Sequence, residues 1–176
     1  MPTPDAVDIR RLDESDARAH LDGLAAVLHD CVEGGASVGY MAPFSREDAL
    51  TAFDSFVSEL EEGRRLILAA FENGRVLGTA QVVLALMPNQ PHRGEVAKVL
   101  VHRGARRRGV ARLLMERAED EARAEGKTLL VLDAVTGGAA ERLYERMGWN
   151  RVGVIPNFAL YPDGRPCSTT FFWKPL

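Results

Sequence analysis

Arg106-Arg107-Arg108-Gly109-Val110-Ala111 joins an apolar run that ends at Val101 to an amphipathic segment that begins near Val110. This order predicts a strand, a loop and a helix N-terminus, where unpaired backbone N–H groups and the helix dipole favour phosphate oxygens. Gly109 has no Cβ and lets the main chain approach a ligand closely. The sequence therefore predicts a pyrophosphate-binding site here. The alternative is a basic loop that is only solvated. The arginines that supply local positive charge are Arg103, Arg106, Arg107, Arg108 and Arg112.

The rest of the chain predicts strands and helices in mixed order. Val7 to Leu12 alternates like an edge strand, and Asp16 to Asp30 has helical spacing. Ser45 to Asp48 has the form of a capping box that opens a helix to about Glu62. Asn73-Gly74 predicts a hairpin between strands over Arg65 to Glu72 and Arg75 to Leu86. Later elements are a strand over Gly94 to Val101, a helix over Val110 to Ala124, a strand over Thr128 to Ala134, a helix over Ala139 to Met147, and a final strand pair over Arg151 to Ile155 and Ser168 to Trp173 around a turn at residues 162–164.

Composition limits the classes of partner. A chain of 176 residues with 46% hydrophobic content predicts one domain, residues 1–176. A net charge of −3 argues against nucleic acid, which binds many phosphates across a basic face. We expect a cytoplasmic protein without a membrane span, because the N-terminus lacks the pattern of a signal peptide and no uncharged apolar run is long enough. The histidines and the two cysteines have no metal-ligand spacing, so we expect no metal site.

Two segments carry a family resemblance. The pattern Arg106-x-x-Gly109-x-Ala111, preceded by the strand Glu95 to Val101, resembles the acetyl-CoA signature of the GCN5-related N-acetyltransferases. The segment Ala140 to Trp149 is similar to a second motif of that family, in which Tyr144 takes the tyrosine position. Within the family, Gly34 to Met41 and Tyr161 to Arg165 resemble the tabtoxin-resistance acetyltransferases.

The resemblance implies an α/β (α+β) fold. Its sheet is twisted and mostly antiparallel, has helices on both faces, and contains a central parallel strand pair that splays apart. The pantetheine arm of acetyl-CoA, the implied co-substrate, then pairs with the backbone of the first of these strands. The implied cofactor-binding residues are Val99, Leu100, Val101, Arg106, Arg107, Arg108, Gly109, Val110, Ala111 and Arg112. Many members carry an asparagine three residues before the Ala140 position, and this chain has Gly137 there, which departs from the family pattern.

Glu95 is the first candidate for the general base. It lies where histone-type members of the family carry their general-base glutamate, in a strand that is apolar except for Lys98. A carboxylate beside an apolar strand has a raised pKa, which suits a base. The alternative is a structural ion pair with Lys98 or Arg93.

Asp133 ends the apolar run Leu129 to Leu132, on the strand predicted to neighbour that of Glu95. Two carboxylates that face one cleft separate each other's titration and attract a cationic amine. We therefore expect Asp133 to be a second base or an anchor for the ammonium group. A turn or capping role, given Thr136 and Gly137, is the alternative.

Tyr144 is the candidate general acid. A phenol with a pKa of ~10 holds its proton at neutral pH and can give it to a thiolate. The matching tyrosine has this role in many members of the family. A packing tyrosine is the alternative, because Leu143, Tyr144 and Met147 share helical spacing.

The predicted function is acetyl-CoA-dependent acetylation of a primary amine on a small molecule, an amino-acid-like compound or an antibiotic or toxin, by direct transfer. The loop from Gly34 to Met41 lies where family members build the acceptor pocket, with Ser37 and Tyr40 as its polar groups. A passive connection is the alternative for that loop. Acetylation of a protein lysine or N-terminus, or acyl-CoA binding without catalysis, are the alternative functions. A monomer or a homodimer is expected.

Overall fold

The computed structural model describes residues 7–84 and 87–176. Its strands are β1 (Asp8–Arg11), β2 (Arg65–Glu72), β3 (Arg75–Val83), β4 (Arg93–Val101), β5 (Leu129–Val135), β6 (Asn150–Leu160) and β7 (Pro166–Pro175). Its α-helices are α1 (Glu14–Ala19), α2 (Leu21–Glu33), α3 (Arg46–Glu61), α4 (Val110–Ala124) and α5 (Ala139–Arg146). A short 3-10 helix over Arg103–Ala105 follows β4.

The strands form a seven-stranded sheet in the order β1-β2-β3-β4-β5-β7-β6. Five of its six neighbouring pairs are antiparallel, and β4 with β5 is the parallel pair. The connection from β4 to β5 runs through α4, as a parallel crossover requires. The mixed, mostly antiparallel sheet confirms the predicted fold class.

Each face of the sheet is covered by helices and has its own apolar core. One core joins α4 to the sheet through residues such as Leu114, Val96 and Leu132. The other joins α2 and α3 through residues such as Leu28 and Phe53, and it includes Leu100 of β4. These two sides are called here the α4 face and the α2–α3 face. Because side chains alternate along a strand, each strand residue is assigned to one face.

Local sequence signals account for several elements. Ser45 and Asp48 form the reciprocal capping box that opens α3. Asn73 and Gly74 both have positive φ, at 50° and 75°, as the tight turn between β2 and β3 requires. The strand predicted to reach Leu86 ends at Val83, and Ala85 and Leu86 lie outside the described residues. The helix predicted over Asp16 to Asp30 is two helices, because α1 ends at Ala19 and α2 begins at Leu21.

β4 contains a bulge at Lys98, whose φ is 50°. Thr79 pairs with Leu100 and Gln81 with Ala97, so β4 has one residue more than β3 between these two pairs. A bulge of this kind bends the strand and re-aims a side chain. After the bulge the alternation of faces is reset: Val96 packs on the α4 face, and Leu100 on the α2–α3 face.

The parallel pairing of β4 with β5 covers only the first part of each strand. It joins Arg93 to Leu129, Gly94 to Leu130 and Glu95 to Val131, and none follows in the described register. β4 nevertheless continues to Val101 and β5 to Val135. The two strands therefore form a V that opens toward their carboxyl ends, which confirms the predicted splay. No helix within residues 7–84 and 87–176 has the length and apolar character needed to cross a bilayer.

Candidate active site

Glu95 and Asp133 flank the apex of the V. Glu95 pairs with Val131 in the last described rung of the parallel ladder, and Asp133 is two residues further along β5. Glu95 precedes Val96, and Asp133 lies between Leu132 and Ala134, and these three neighbours pack on the α4 face. Both carboxylates therefore lie on the α2–α3 face. The structure brings together two residues that the sequence predicted to share a cleft.

The environments of the two carboxylates differ. Asp133 is accessible to solvent at the cleft surface, yet the surrounding protein desolvates its carboxyl and raises the pKa, against the opposing charge of Lys98. The side chain of Glu95 is 41% exposed, and its Oε2 lies 3.8 Å from a guanidinium nitrogen of Arg93. The alternative role for Glu95 was a structural ion pair with Arg93 or Lys98. The Arg93 pair is present, at a distance typical of a loose surface ion pair.

Lys98 is a cation of this cleft, and the sequence pattern indicated it only as an ion-pair partner for Glu95. Its Nζ lies 5.7 Å from the ring centre of Tyr40 and 5.9 Å from that of Phe56. Burial and the nearby charge of Arg65 lower the pKa of Lys98, while the charges of Asp133 and Glu95 oppose that shift. The signal that could have indicated Lys98 is its position as the only lysine of a strand whose other charged residues, Arg93 and Glu95, lie at its start.

A second polar cluster lies beside Lys98, and no sequence signal indicated it. Arg65 of β2 donates to Glu59 at 2.8 Å and to Oε1 of Gln81 at 2.7 Å. Its guanidinium also lies 4.7 Å from the centre of the Phe56 ring. Gln81 is fully buried, and its Nε2 has no partner among the described residues. The cluster joins α3 to β2 and β3 beside Lys98.

The loop between β4 and α4 has the backbone form of an anion site. Arg107 and Gly109 both have left-handed φ, at 61° and 78°. The first turn of α4 has neither a side-chain cap nor an acidic residue, and it is the only one of the five α-helices in the described part of the chain that lacks both. A Cβ placed on Gly109 would meet no protein atom within 4 Å. The first N–H groups of α4 therefore lack a side-chain acceptor, and the space beside Gly109 is open.

Most of the predicted arginines are engaged by other protein groups. Arg103 pairs with Asp30, Arg108 with Glu72 and Arg112 with Glu116. Arg106 donates to the carbonyl of Val101 at 3.2 Å and to the Cys31 sulfur at 3.9 Å. Within the described residues, Arg107 alone of the five has no such partner. The local positive field is thus weaker than the count of arginines predicts, and the backbone donors become more important.

The other predicted cofactor residues follow the V and the helix start. Leu100 is buried on the α2–α3 face, and Val99 and Val101 pack against the α4 core. Val110 is buried at the first turn of α4, beside the half-buried Ala111. The main chain of β4 along these residues has no ladder to β5.

Tyr144 lies on the opposite side of the sheet from the carboxylates. It is buried in the α4-face core, with its ring centre 6.0 Å from that of Trp149 and 6.1 Å from that of Phe172. Burial raises the pKa of the phenol further above its ordinary value, and the negative charge of Asp133 adds to this shift. The two carboxylates and the phenol therefore lie on opposite faces of the sheet.

The segment predicted to form the acceptor pocket is fastened to the β6–β7 hairpin. Ser37 Oγ donates to the carbonyl of Leu160 at 2.7 Å, and the Ala42 N–H donates to the carbonyl of Pro162 at 2.9 Å. Tyr40 is half-buried and stacks on Phe44 with ring centres 4.7 Å apart. The structure thus places Tyr40 beside Lys98, whereas Ser37 holds the loop in place.

A cavity of about 490 Å³ lies away from the V. It is lined by the end of α2, residues 42–44 and the turn at residues 161–163. None of Glu95, Asp133 and Tyr144 contributes to it. The titratable groups that acetyl transfer needs lie at the V and not in this cavity.

Comparison with known proteins identifies the family. The model of the acetyltransferase (GNAT) family matches residues 27–149, which is more than half of the chain. The chain belongs to the GNAT family. It is therefore an acetyltransferase, and acetyl-CoA is its co-substrate.

Solved structures share this GNAT fold across nearly the whole chain. A putative acetyltransferase from Salmonella typhimurium, solved with its cofactor acetyl-CoA, is 24% identical with a TM-score of 0.79, over 97% of this chain and 94% of that one. A ribosomal-protein-alanine N-acetyltransferase from Brucella melitensis is 24% identical with a TM-score of 0.78, over 96% and 99%. A putative phosphinothricin N-acetyltransferase is 19% identical with a TM-score of 0.78, over 97% and 99%. These similarities show the fold, and the two of these proteins that are named for an acceptor are named for different ones.

The GNAT site fits acetyl-CoA on two observations. The V leaves main-chain groups of β4 unpaired with β5, as a pantetheine arm requires. The uncapped first turn of α4 and the empty space above Gly109 suit a pyrophosphate. Both features are made by backbone, which explains why many side chains are compatible with this role.

Tyr144→Phe is expected to lower kcat about 10- to 100-fold. The change removes one hydroxyl and keeps the ring that contacts Trp149 and Phe172. Because the pKa of Tyr144 is raised, the phenol keeps its proton across the working pH range, so we expect no loss of rate from its ionisation up to about pH 10. Steady-state kinetics and a thermal melt of both proteins check this. Unchanged kcat with a lower melting temperature would make Tyr144 a packing residue only.

Proposed function

We propose that this acetyltransferase transfers the acetyl group directly to a primary amine of a small molecule, an amino-acid-like compound or an amine-bearing antibiotic or toxin. The observation that carries the proposal is the attachment of the segment beside Lys98 to the β6–β7 hairpin. Ser37 and Ala42 fasten this segment to the hairpin, and its Tyr40 ring lies 5.7 Å from Nζ of Lys98. A fastened segment at the cleft favours a small acceptor over a side chain that projects from a folded protein.

We also propose that the chain is related to the tabtoxin-resistance acetyltransferases and that it forms one domain. The two segments similar to tabtoxin-resistance enzymes, Gly34 to Met41 and Tyr161 to Arg165, adjoin one another, since Ser37 bonds to the residue before Tyr161. Their proximity supports a common role in forming the acceptor side. We propose that residues 1–176 act as one acetyltransferase domain.

The proposed chemistry divides between the two sides of the V. Acetyl-CoA supplies the acetyl group as a thioester. On the α2–α3 face, Asp133 holds the acceptor's ammonium group and Glu95 takes a proton from it, so that the amine becomes a nucleophile. On the α4 face, Tyr144 holds a proton for the sulfur of the departing thiolate. The raised pKa of Tyr144 suits a group that stays protonated until that step.

The proposed cofactor contacts are mostly made by the main chain. Val99, Leu100 and Val101 offer backbone groups to the pantetheine arm, and the first turn of α4 offers N–H groups to the pyrophosphate. Arg107 adds a charge that no side-chain or backbone group of the described residues engages. The remaining proposed contacts come from Arg106, Arg108, Gly109, Val110, Ala111 and Arg112.

A screen of amines tests the proposal. Purified protein is incubated with acetyl-CoA and each of a set of amino acids, amine-bearing antibiotics and lysine or N-terminal peptides, and free thiol release is read. We expect release above the amine-free rate with small amines, and loss of that signal in Glu95→Gln. Release with peptides alone would instead support acetylation of a protein amine.

A further inference from the structure

Lys98 differs from the other lysines of the chain in its hydrogen bonding. The chain has three lysines. Lys127 donates to the carbonyls of Leu84 and Pro91. Lys174 donates to both oxygens of Glu119 and to a third acceptor. The ammonium group of Lys98 has no hydrogen-bond acceptor among the described residues.

The surroundings of Lys98 make this unusual. The side chain is half-buried, and its Nζ lies near the faces of the Tyr40 and Phe56 rings. Aromatic faces attract a cation but accept none of its three N–H groups in a strong bond. A partly desolvated ammonium group gains most from a charged oxygen acceptor. The bulge in β4 therefore holds a cation without a protein acceptor at the wall of the acceptor cleft.

Nearby charges leave room for such an acceptor. The charges of Asp133 and Glu95 act on Lys98, yet neither carboxylate is within the 4.0 Å of an ion pair with it in the described part of the chain. Arg65, the next cation, is already bonded to Glu59 and Gln81. The cleft thus presents two carboxylates and one unpaired ammonium group, with a gap between them.

We propose that Lys98 binds an anionic group that the acceptor carries beside its amine, so that the acceptor is a zwitterion of the amino-acid class. This inference rests on the proposed function and narrows its substrate. The acceptor's ammonium group faces Asp133 and Glu95, while its carboxylate accepts hydrogen bonds from Lys98. The two ends of such a molecule match the two signs of charge in the cleft.

Matched acceptor pairs test this inference. Initial rates are measured with free amino acids and with their carboxamides, which carry an uncharged amide in place of the carboxylate, for the native protein and Lys98→Met. The native protein is expected to prefer the free acids by at least about tenfold in kcat/KM. Lys98→Met should raise KM for the acids about 10- to 100-fold and leave KM for the carboxamides within about twofold. Met is an L residue of similar length, so the bulge conformation is equally compatible with it.

Arg64→Met is the matched control. It removes an exposed cation at the start of β2 that pairs with Glu62 rather than with the cleft. It should leave both KM values unchanged. Equal loss of rate for acids and carboxamides in Lys98→Met would overturn the inference and make Lys98 a residue that tunes the carboxylates. Equal use of acids and carboxamides by the native protein would also overturn it while the proposed function stands, and acetylation of peptides alone would overturn both.

Discussion

Glu95→Gln is expected to lower kcat/KM for the acceptor amine by about two or more orders of magnitude. Glutamine keeps the volume and the hydrogen-bonding capacity of Glu95 but does not accept the proton. The lost rate should partly return at high pH, because a larger fraction of the amine is then already neutral. Steady-state kinetics from about pH 6 to pH 10 measure both effects.

Asp133→Asn is the matched variant on the neighbouring strand. If Asp133 anchors the ammonium group, this change should chiefly raise KM for the amine and leave kcat nearly unchanged. Burial raises the pKa of Asp133, so this carboxyl takes up a proton at a higher pH than an ordinary aspartate as the pH falls. A base with that property gives kcat/KM an acidic limb above the usual carboxyl range. Loss of that limb in Asp133→Asn, with native rates in Glu95→Gln, would assign the base to Asp133.

Gly109→Asp is expected to abolish most of the thermal stabilisation by acetyl-CoA. A ligand at 100 times its Kd stabilises a protein by about 2.7 kcal/mol. For a chain of this size, that corresponds to a rise of about 5–10 °C in Tm. The new carboxylate would occupy the open space above residue 109 and repel the pyrophosphate at the start of α4. Differential scanning fluorimetry with and without acetyl-CoA measures the shift.

Two control variants separate charge from backbone strain. Gly109→Asn has nearly the same shape and the same positive φ, so it should retain much more of the stabilisation than Gly109→Asp. Gly126→Asp places the same residue at a φ of 76°, also with no protein atom within 4 Å of the new Cβ. It follows the C-terminus of the 15-residue α4, about 22 Å from Gly109. An unchanged acetyl-CoA shift in Gly109→Asp would place the pyrophosphate elsewhere.

Sequence patterns predicted the elements whose signals are local. The capping box at Ser45 and the turn at Asn73-Gly74 each occupy a few consecutive residues, and α4 has its predicted bounds from Val110 to Ala124. The family resemblance supplied the V between β4 and β5. It depends on which strands pair and where pairing stops, and one sequence does not encode this in a short window.

The missed features depend on contacts between distant segments. The cluster of Glu59, Arg65 and Gln81 joins α3, β2 and β3. The ion pair of Arg108 with Glu72 joins the anion-site loop to the end of β2, which no count of arginines reveals. The bulge at Lys98 was missed for another reason: a non-glycine residue with positive φ has no strong sequence signal.

The extra residue in β4 divides this strand into two parts, and the alternation of side chains between the two faces of the sheet starts anew after it. Under the proposed function, residues 93–97 carry the acceptor-facing Glu95, and residues 99–101 run beside the cofactor. An equal-length exchange of the first part keeps the strand pairing after the bulge, so Leu100 stays in its core. A strand graft that preserves Glu95, Lys98 and the residues after Lys98 therefore offers a route to new acceptors with the acetyl donor unchanged.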